Sequence, residues 1–258
     1  MIVTTTERPD EGTKLLAKAL AAEWGASYVP RQQHSLARLS RLHGNADVAI
    51  VGPREVKLVP KDGQPLFFHP SMALVRLKRL MSGGTDALIE ISGARAGDIV
   101  VDCTAGLCAD SLVLSYAVGA EGQVIALEAS PILHAIVREG LKLYESGLCE
   151  VDRAMRAIKP VKADYESFLR HLADDSVDVV YFDPMFERPV GTSSSLSPLR
   201  AQAKQGQLTE EAVMEAKRVA RRCIVLKDRR GSGQFERLGF RPARNSGSSV
   251  AYGVITIE

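Results

Sequence analysis

The sequence predicts an α/β fold in which a doubly wound, mostly parallel, seven-stranded sheet follows a small α+β module. From about residue 71 onward, short apolar segments alternate with segments of helical periodicity, which is typical of strands joined by crossover helices. These apolar segments are nearly continuous, as expected of parallel strands that are covered on both faces. Residues 1–70 contain short strand-like segments punctuated by Pro and Gly, so we assign them to a separate module.

The N-terminal module, residues 1–70, is predicted to contain one helix and several short strands. Apolar residues recur at helical spacing over residues 11–24, and Gly25 ends the pattern. The predicted strands cover residues 2–5, 27–29, 47–51, 56–59 and 65–68. The sequence of this module contains no motif that indicates a particular chemistry.

The second unit, residues 71–258, is predicted to alternate strands and helices. The predicted strands cover residues 99–102, 123–127, 159–163, 177–182 and 223–226, and residues 250–257 are predicted to close the sheet as an antiparallel strand. The predicted helices cover residues 71–81, 86–91, 109–118, 130–143, 165–172 and 209–222. Because crossovers between parallel strands are right-handed, this order predicts a Rossmann-like sheet with helices on both faces.

Composition and charge exclude several classes of protein. Hydrophobic residues make up 45% of the chain and charged residues 25%, so a sizeable core can form. The 33 basic and 31 acidic residues leave a net charge of +2, which by itself does not indicate nucleic-acid binding. The sequence shows no apolar run of about 18 residues, no signal-peptide pattern at its start and no metal-ligand spacing among its cysteines. We therefore expect a soluble cytoplasmic protein with reduced thiols, no membrane segment and no metal.

Acidic residues around the first strand of the larger unit indicate the cofactor. This strand ends at Asp102, and a turn of small residues that contains Thr104 and Gly106 leads to Asp110 at the start of a helix. A dinucleotide site would need further glycines in this turn, and the flanking carboxylates would repel a pyrophosphate. Carboxylates suit a ligand that carries an ammonium and a sulfonium, so these four residues are predicted to contact S-adenosyl-L-methionine.

The ends of the next two predicted strands complete this interpretation. Glu128 ends the second strand, where a carboxylate can accept hydrogen bonds from both ribose hydroxyls. Asp164 follows the third strand and is placed to accept a hydrogen bond from the adenine amino group. One acid at a strand end is weak support, but three on successive strands favour a methyltransferase.

The fourth predicted strand ends in Asp183-Pro184-Met185-Phe186, the most specific motif of the chain. It resembles the (Asp/Asn)-Pro-Pro-(Phe/Tyr) signature of methyltransferases that modify planar amines. The lone pair of an aromatic amine is delocalised, so hydrogen-bond acceptors are needed to orient the amine and to stabilise the charge that develops on it. We predict that Asp183 provides a carboxylate oxygen, Pro184 a carbonyl and a fixed turn, and Phe186 a face on which the base stacks.

Residues 67–185 resemble the RsmJ-type methyltransferases of small-subunit ribosomal RNA, which methylate N2 of a guanine. The matching stretches are Met81-Ser82-Gly83-Gly84, Asp102-Cys103-Thr104-Ala105-Gly106-Leu107, Asp110, Leu127-Glu128-Ala129-Ser130-Pro131 and Asp183-Pro184-Met185-Phe186. The resemblance implies an RNA substrate. It also implies cofactor contacts at Ala109, Asp110, Glu128, Ala129, Asp164, Tyr165 and Asp183. The sequence departs from the usual motifs of the family at Cys108, Ala109 and Ala129.

A basic segment, residues 217–244, is predicted to contact the phosphates of RNA from the small ribosomal subunit. It contains ten basic and two acidic residues, so the remainder of the chain is net acidic. Residues 227–233 follow a predicted strand and are expected to form a loop at the ligand-binding edge of the sheet. The alternative interpretation of this segment is a solvated basic face.

The segment 189–207 is rich in Ser and Gln and has no clear periodicity. A segment of this length without secondary structure in a compact domain is often functional, so we predict a lid over the target pocket. Simple disorder is the alternative.

Three other functions remain open at the level of sequence. The first is a methyltransferase with the same cofactor and another target, namely another RNA, a protein or a small molecule. Labelled methyl groups would show which molecule is the target. The second is an NAD-dependent oxidoreductase, against which the missing glycines argue. The third is a non-catalytic RNA-binding module, in which replacement of Asp183 would leave cellular function intact.

Overall fold

The computed structural model describes residues 1–61, 64–184, 207–243 and 249–257, which form two sheets. The N-terminal sheet consists of β1 (Ile2–Thr5), β2 (Ser27–Tyr28), β3 (Val48–Val51), β4 (Val56–Val59) and β5 (Leu66–Phe67). The strand order is β2-β1-β3-β4-β5. Strand β1 is parallel to β2 and β3, whereas β4 is antiparallel to β3 and β5. The strands predicted for residues 1–70 are confirmed, with ends that differ by at most one residue.

Two helices belong to this N-terminal part. Helix α1 (Glu11–Glu23) begins where the Asp10 side chain accepts a hydrogen bond from the Thr13 amide at 2.7 Å. Helix α2 (Leu36–Leu42) was not predicted from the sequence. It has seven residues, of which Leu39 is buried, so its apolar periodicity is too short to be distinctive.

The larger sheet confirms the predicted fold class. Its strands are β6 (Ile99–Asp102), β7 (Gln123–Glu128), β8 (Lys159–Lys162), β9 (Val177–Phe182), β10 (Ala220–Arg229), β11 (Arg241–Pro242) and β12 (Val250–Thr256). They are arranged in the order β11-β12-β10-β9-β6-β7-β8. Neighbouring strands from β8 to β10 are parallel, and β12 is antiparallel to β10, as predicted for the closing strand.

Helices cover this sheet and connect its strands. They are α3 (Ser71–Met81), α4 (Ala87–Ser92), α5 (Ala109–Val118), α6 (Pro131–Leu143), α7 (Cys149–Ala157), α8 (Tyr165–His171), α9 (Glu210–Val219) and α10 (Gln234–Arg237). Helices α7 and α10 were not predicted; α7 is a short amphipathic helix whose surface is largely charged. Among the residues that the structure describes, no helix is long and apolar enough to cross a membrane.

The junction of α9 and β10 differs from the prediction. Helix α9 ends at Val219, and Ala220 already pairs with Val177 of β9, so the residues up to 222 belong to a strand. Residues 227–229 also lie in β10 and not in a loop, because they pair with β12. The basic residues in this region suggested the end of a helix, but strand pairing with distant segments determines the structure.

The apolar core of the N-terminal sheet is continuous with the core of the larger unit. Val51 and Leu58 of the small sheet belong to the same buried cluster as Leu112 of α5 and Ile136 of α6. Helix α6 packs closely on this region at Gly140, where a Cβ atom would lie 2.2 Å from the Cβ of Phe68. The close approach explains why glycine occupies the middle of α6.

Candidate active site

The carboxyl ends of the parallel strands β6, β7, β9 and β10 meet at one edge of the large sheet. The chain runs from β6 outward to β7 and β8 and then returns to β9 on the other side of β6. Such a reversal of strand order opens a crevice, and doubly wound sheets bind their ligands there. Asp102, Glu128 and Asp183 all lie at this edge. The strand order therefore brings together three of the predicted site residues.

The turn after β6 is shaped by Asp102. Its buried carboxylate accepts hydrogen bonds from the Ser111 hydroxyl at 2.5 Å and from the Thr104 amide at 3.1 Å. Burial raises the pKa of Asp102 to about 7. Gly106 has a φ of +52°, a conformation that glycine adopts without steric cost. The contacts of Asp102 therefore hold the turn against the first residues of α5.

Glu128 at the end of β7 lies beside this turn. Its carboxylate accepts a hydrogen bond from the Ser130 amide at 2.8 Å. Burial raises the pKa of Glu128 to about 7, although the amides of Ser130, Ala129 and Gly106 oppose the rise. Ala129 is exposed next to it. The structure thus places Gly106, Glu128 and Ala129, three of the predicted cofactor contacts, close together.

Asp164 and Tyr165 lie at the end of β8. The Asp164 carboxylate caps α8 by accepting hydrogen bonds from the Glu166 amide at 3.1 Å and the Ser167 amide at 3.3 Å. The Tyr165 ring packs edge-on against Phe182, with ring centroids 5.6 Å apart. This contact links the end of β8 to the end of β9.

Asp183 follows β9 directly and is fixed through its backbone and its side chain. Its amide donates a hydrogen bond to the Thr104 hydroxyl at 2.5 Å, which ties the ends of β9 and β6 together. Its carboxylate forms an ion pair of 2.7 Å with Lys227. Pro184 is half-buried beside it, whereas the predicted base-stacking residue Phe186 lies outside the described residues.

A buried cluster of charges lies under Asp183. Asp110 accepts hydrogen bonds from the Tyr181 hydroxyl at 2.8 Å and from Lys227 at 2.7 Å, and it also binds Arg76. Arg76 in turn forms two hydrogen bonds of 2.8 Å with Asp86. Burial alone would raise the pKa of Asp110, but the charges of Lys227 and Arg76 hold it below its usual value.

The sequence did not assign Arg76 and Tyr181 to this site, and it assigned Lys227 to an RNA surface. Arg76 precedes the sheet and carries no local signal, because its partners are distant in the chain. The pairing of Leu226 with Phe182 places Lys227 next to Asp183. The sequence did contain one signal for Lys227. This lysine directly follows the apolar run 223–226, just as the predicted site acids follow their strands.

The basic segment 217–244 is not one continuous surface. Arg221 and Arg222 lie at the beginning of β10 and pair with Asp178 and Asp98 at the opposite edge of the sheet, roughly 25 Å from the end of β10. Arg218 pairs with Asp174 at this opposite edge as well. The rise of β10 therefore separates the basic residues of this segment into two groups, and RNA contact through the segment stays a prediction. The last predicted member, Arg244, lies outside the described residues.

The fold and a matching family model together identify a class I S-adenosylmethionine-dependent methyltransferase. Residues 63–227 match the family model described as "Putative SAM-dependent methyltransferase". The chain belongs to this family, and S-adenosyl-L-methionine is its cofactor. The oxidoreductase and the non-catalytic module are thereby set aside.

Three proteins illustrate the relationship. The chain is 39% identical over 254 residues, 98% of either protein, to "Uncharacterized protein YpiP" of Bacillus subtilis (strain 168). It is 33% identical over 146 residues to "Ribosomal RNA small subunit methyltransferase J" of Acinetobacter baumannii (strain SDF), a match that spans 51% of each chain. The crystal structure of the SAM-dependent methyltransferase NGO1261 from Neisseria gonorrhoeae has the same fold, with a TM-score of 0.64 at 18% identity. That comparison covers 99% of this chain and 96% of the other.

Proposed function

We propose that this methyltransferase transfers a methyl group to the exocyclic amine of a guanine in small-subunit ribosomal RNA. The observation that carries the proposal is the position of Asp183 at the switch between β6 and β9, where Thr104 accepts a hydrogen bond from its backbone amide and Lys227 binds its carboxylate. The Asp-Pro motif at this position is suited to a planar amine. The relatives named ribosomal RNA small subunit methyltransferase J support an RNA target, although the match spans about half of their length.

The chemistry of the side chains at the edge supports the cofactor contacts that we propose. Glu128 would accept hydrogen bonds from the ribose hydroxyls, and Asp164 with Tyr165 would contact the adenine. The methionine end would lie over the turn that contains Asp102, Thr104 and Gly106, with Ala129 flanking the ribose. Asp110 already accepts hydrogen bonds from three donors within the chain. Its proposed role is therefore to hold Lys227 and Arg76 beside the cofactor.

S-adenosyl-L-methionine supplies an electrophilic methyl group carried on a sulfonium. In the proposed reaction, Asp183 accepts a hydrogen bond from the amine, so that the nitrogen lone pair points in line with the methyl carbon. Bound S-adenosyl-L-methionine would supply the methyl carbon for the new N–C bond, and the electron pair of the broken C–S bond would remain on its sulfur. The methylated nitrogen then loses its proton to water. Pro184 would provide a second acceptor through its carbonyl, and Phe186 would stack on the base.

The charge of the site supports a neutral amine over a protonated one. Asp183 is already neutralised by Lys227 at 2.7 Å, so a cationic substrate such as a lysine side chain gains little by approaching it. Arg229 and Arg230 lie at or just beyond the end of β10, at the same edge, where they could meet RNA phosphates. Another RNA, a protein or a small molecule remains the alternative target.

The proposal is tested with the purified chain, tritiated S-adenosylmethionine and small ribosomal subunits from a strain that lacks the gene. We expect label in the RNA and N2-methylguanosine among its nucleosides by mass spectrometry. Asp183→Ala should lower the rate at least roughly 100-fold, since it removes a group that acts in the transition state. The control Arg221→Met, which changes a cation at the opposite edge, should leave the rate within about twofold. Label in protein, or in a base other than guanine, would contradict the proposal.

A further inference from the structure

Lys227 joins the candidate active site to the buried charge cluster beneath it. Its Nζ lies 2.7 Å from Oδ2 of Asp183 and 2.7 Å from Oδ2 of Asp110. The side chain is 21% exposed, so its ammonium has lost most of its contact with water. An ammonium in such a place is stable only while its acidic partners compensate for the lost hydration.

The partners behind Lys227 fix its position. Asp110 is held by the Tyr181 hydroxyl and by Arg76, and Arg76 is held by Asp86, which is 3% exposed. Charges therefore alternate in sign along a line that runs from Asp86 to Asp183. These residues come from five different parts of the chain, from α3, which contains Arg76, to β10, which contains Lys227. This line of charges reaches the ligand-binding edge of the sheet at Asp183.

The other charged groups near Asp183 are mostly acidic. Asp110 and Asp228 both raise its pKa by repulsion, and Asp102 lies close enough for mutual repulsion as well. Tyr181 and Tyr252 are the further titratable groups of this cluster. Burial raises the pKa of Asp183 to about 6, and the charge of Lys227 opposes this rise. Arg76 is the next cation, and it lies behind Asp110.

We propose that Lys227 is a positioning residue that keeps the Asp183 carboxylate ionised and turned toward the target amine. The inference rests on the proposed function for the role of Asp183 as an acceptor. A protonated Asp183 would present an O–H donor to the amine in place of an acceptor. A carboxylate without Lys227 could also rotate away from the edge, because the hydrogen bond from the Asp183 backbone amide to the Thr104 hydroxyl does not fix the side chain.

The test is a titration of the Asp183 carboxyl carbon by NMR in the protein without substrate, with the resonance assigned by comparison with Asp183→Asn. We expect a midpoint near 6 in the natural sequence. Lys227→Met should raise the midpoint by at least about one pH unit, because it removes the adjacent positive charge. Lys227→Arg keeps the charge and should stay within about half a unit. The matched control Arg221→Met removes a cation from the other end of β10 and should leave the midpoint unchanged.

An unchanged midpoint in Lys227→Met, or an equal rise in Arg221→Met, would overturn the proposal. If Lys227→Met does not fold, the double variant Lys227→Met with Asp110→Asn removes both charges of the buried pair. Its midpoint should still exceed that of the natural sequence, and a midpoint at or below that value overturns the proposal. Because the titration needs no substrate, failure of methyl transfer to RNA would leave it unaffected, and the two proposals fail separately.

Discussion

Two buried carboxylates at the edge of the large sheet differ in what they contact. Asp102 accepts hydrogen bonds from Ser111 and Thr104 and so holds the turn after β6. Glu128 accepts from the Ser130 amide and lies beside the backbone of Gly106. Both acids end a predicted strand. Only the structure shows that the Asp102 carboxylate binds residues of the turn that follows it. At the scale of residues, this difference predicts that replacement of Asp102 changes stability and that replacement of Glu128 changes cofactor binding.

Replacement of Glu128 should weaken cofactor binding without unfolding the protein. Glu128→Gln removes a charged acceptor, which contributes about 1.5–3 kcal/mol to a hydrogen bond, so we expect roughly 10- to 100-fold weaker binding of S-adenosylhomocysteine. Burial raises the pKa of Glu128 to about 7, so binding to the natural sequence should strengthen as the pH rises through 7. Isothermal titration calorimetry at pH 6, 7 and 8 checks this, with the exposed Glu211→Gln as control. Equal affinity and equal pH dependence in both variants would contradict the assigned role.

Asp102 should make the protein less stable as the pH rises from about 4 to 7. Burial raises its folded-state pKa to about 7, so in this window the folded chain retains a proton that the unfolded chain has lost. Asp102→Asn removes this effect. The free energy of unfolding of the variant minus that of the natural sequence should therefore be about 2 kcal/mol larger at pH 8 than at pH 5. Urea unfolding at the two pH values measures the difference.

Asp98 provides the comparison for that experiment. Burial alone would raise its pKa, but the hydrogen bond and charge of Arg222 hold it below its usual value. At a pH above the unfolded-state pKa of Asp98, its ionised carboxylate therefore stabilises the fold. This contribution is lost as the pH falls from the unfolded-state pKa through the lower folded-state pKa. Asp98→Asn should cost stability at pH 8, which is opposite in sign to the change expected for Asp102→Asn. The same sign for both variants would show that the buried charges do not act as described.

At the scale of elements, the fit of α6 against the N-terminal sheet depends on one glycine. A Cβ atom at Gly140 would lie 2.2 Å from the Cβ of Phe68, whereas one at Gly12 in α1 would lie 3.6 Å from its nearest neighbour, the Asp10 side chain. Both glycines lie in helices, so the intrinsic preference of a helix for alanine is similar at the two positions.

Gly140→Ala should therefore destabilise the protein by about 1–3 kcal/mol, because the new methyl group forces α6 away from Phe68. Gly12→Ala should stabilise it by up to about 1 kcal/mol, since alanine reduces the entropy lost on helix formation. Thermal or urea unfolding of both variants gives the comparison. A neutral effect at Gly140 would mean that α6 does not lie so close to the N-terminal sheet.

The elements also show what local sequence could and could not predict. The strands β6, β7 and β9 are buried apolar runs, and their positions follow directly from the pattern. Strand β10 was predicted too short at both ends, because Arg221, Arg222 and Lys227 are explained by ion pairs with partners far away in sequence. The positions of the acids at the strand ends could be predicted because each acid directly follows a buried apolar run. Arg76 could not be predicted, because it is tied to the site by tertiary contacts alone.

For the whole molecule, the shared core predicts that the two sheets unfold together. The single tryptophan, Trp24, ends α1 and donates a hydrogen bond to the Pro131 carbonyl at the start of α6, at 3.2 Å. Its fluorescence therefore reports on the contact between residues 1–70 and the larger unit. We expect the fluorescence transition and the circular dichroism transition to coincide within error during urea unfolding. Two separated transitions would show that the N-terminal module is an independent domain.

The central claim is that S-adenosylmethionine lies across the carboxyl edge of the large sheet, with its methyl group facing Asp183. A crystal structure of the protein with S-adenosylhomocysteine tests this most directly. The account predicts that the Glu128 carboxylate accepts hydrogen bonds from the ribose hydroxyls and that the sulfur faces Asp183, which remains paired with Lys227. A ligand bound elsewhere, or a carboxylate of Asp183 directed away from the sulfur, would contradict it.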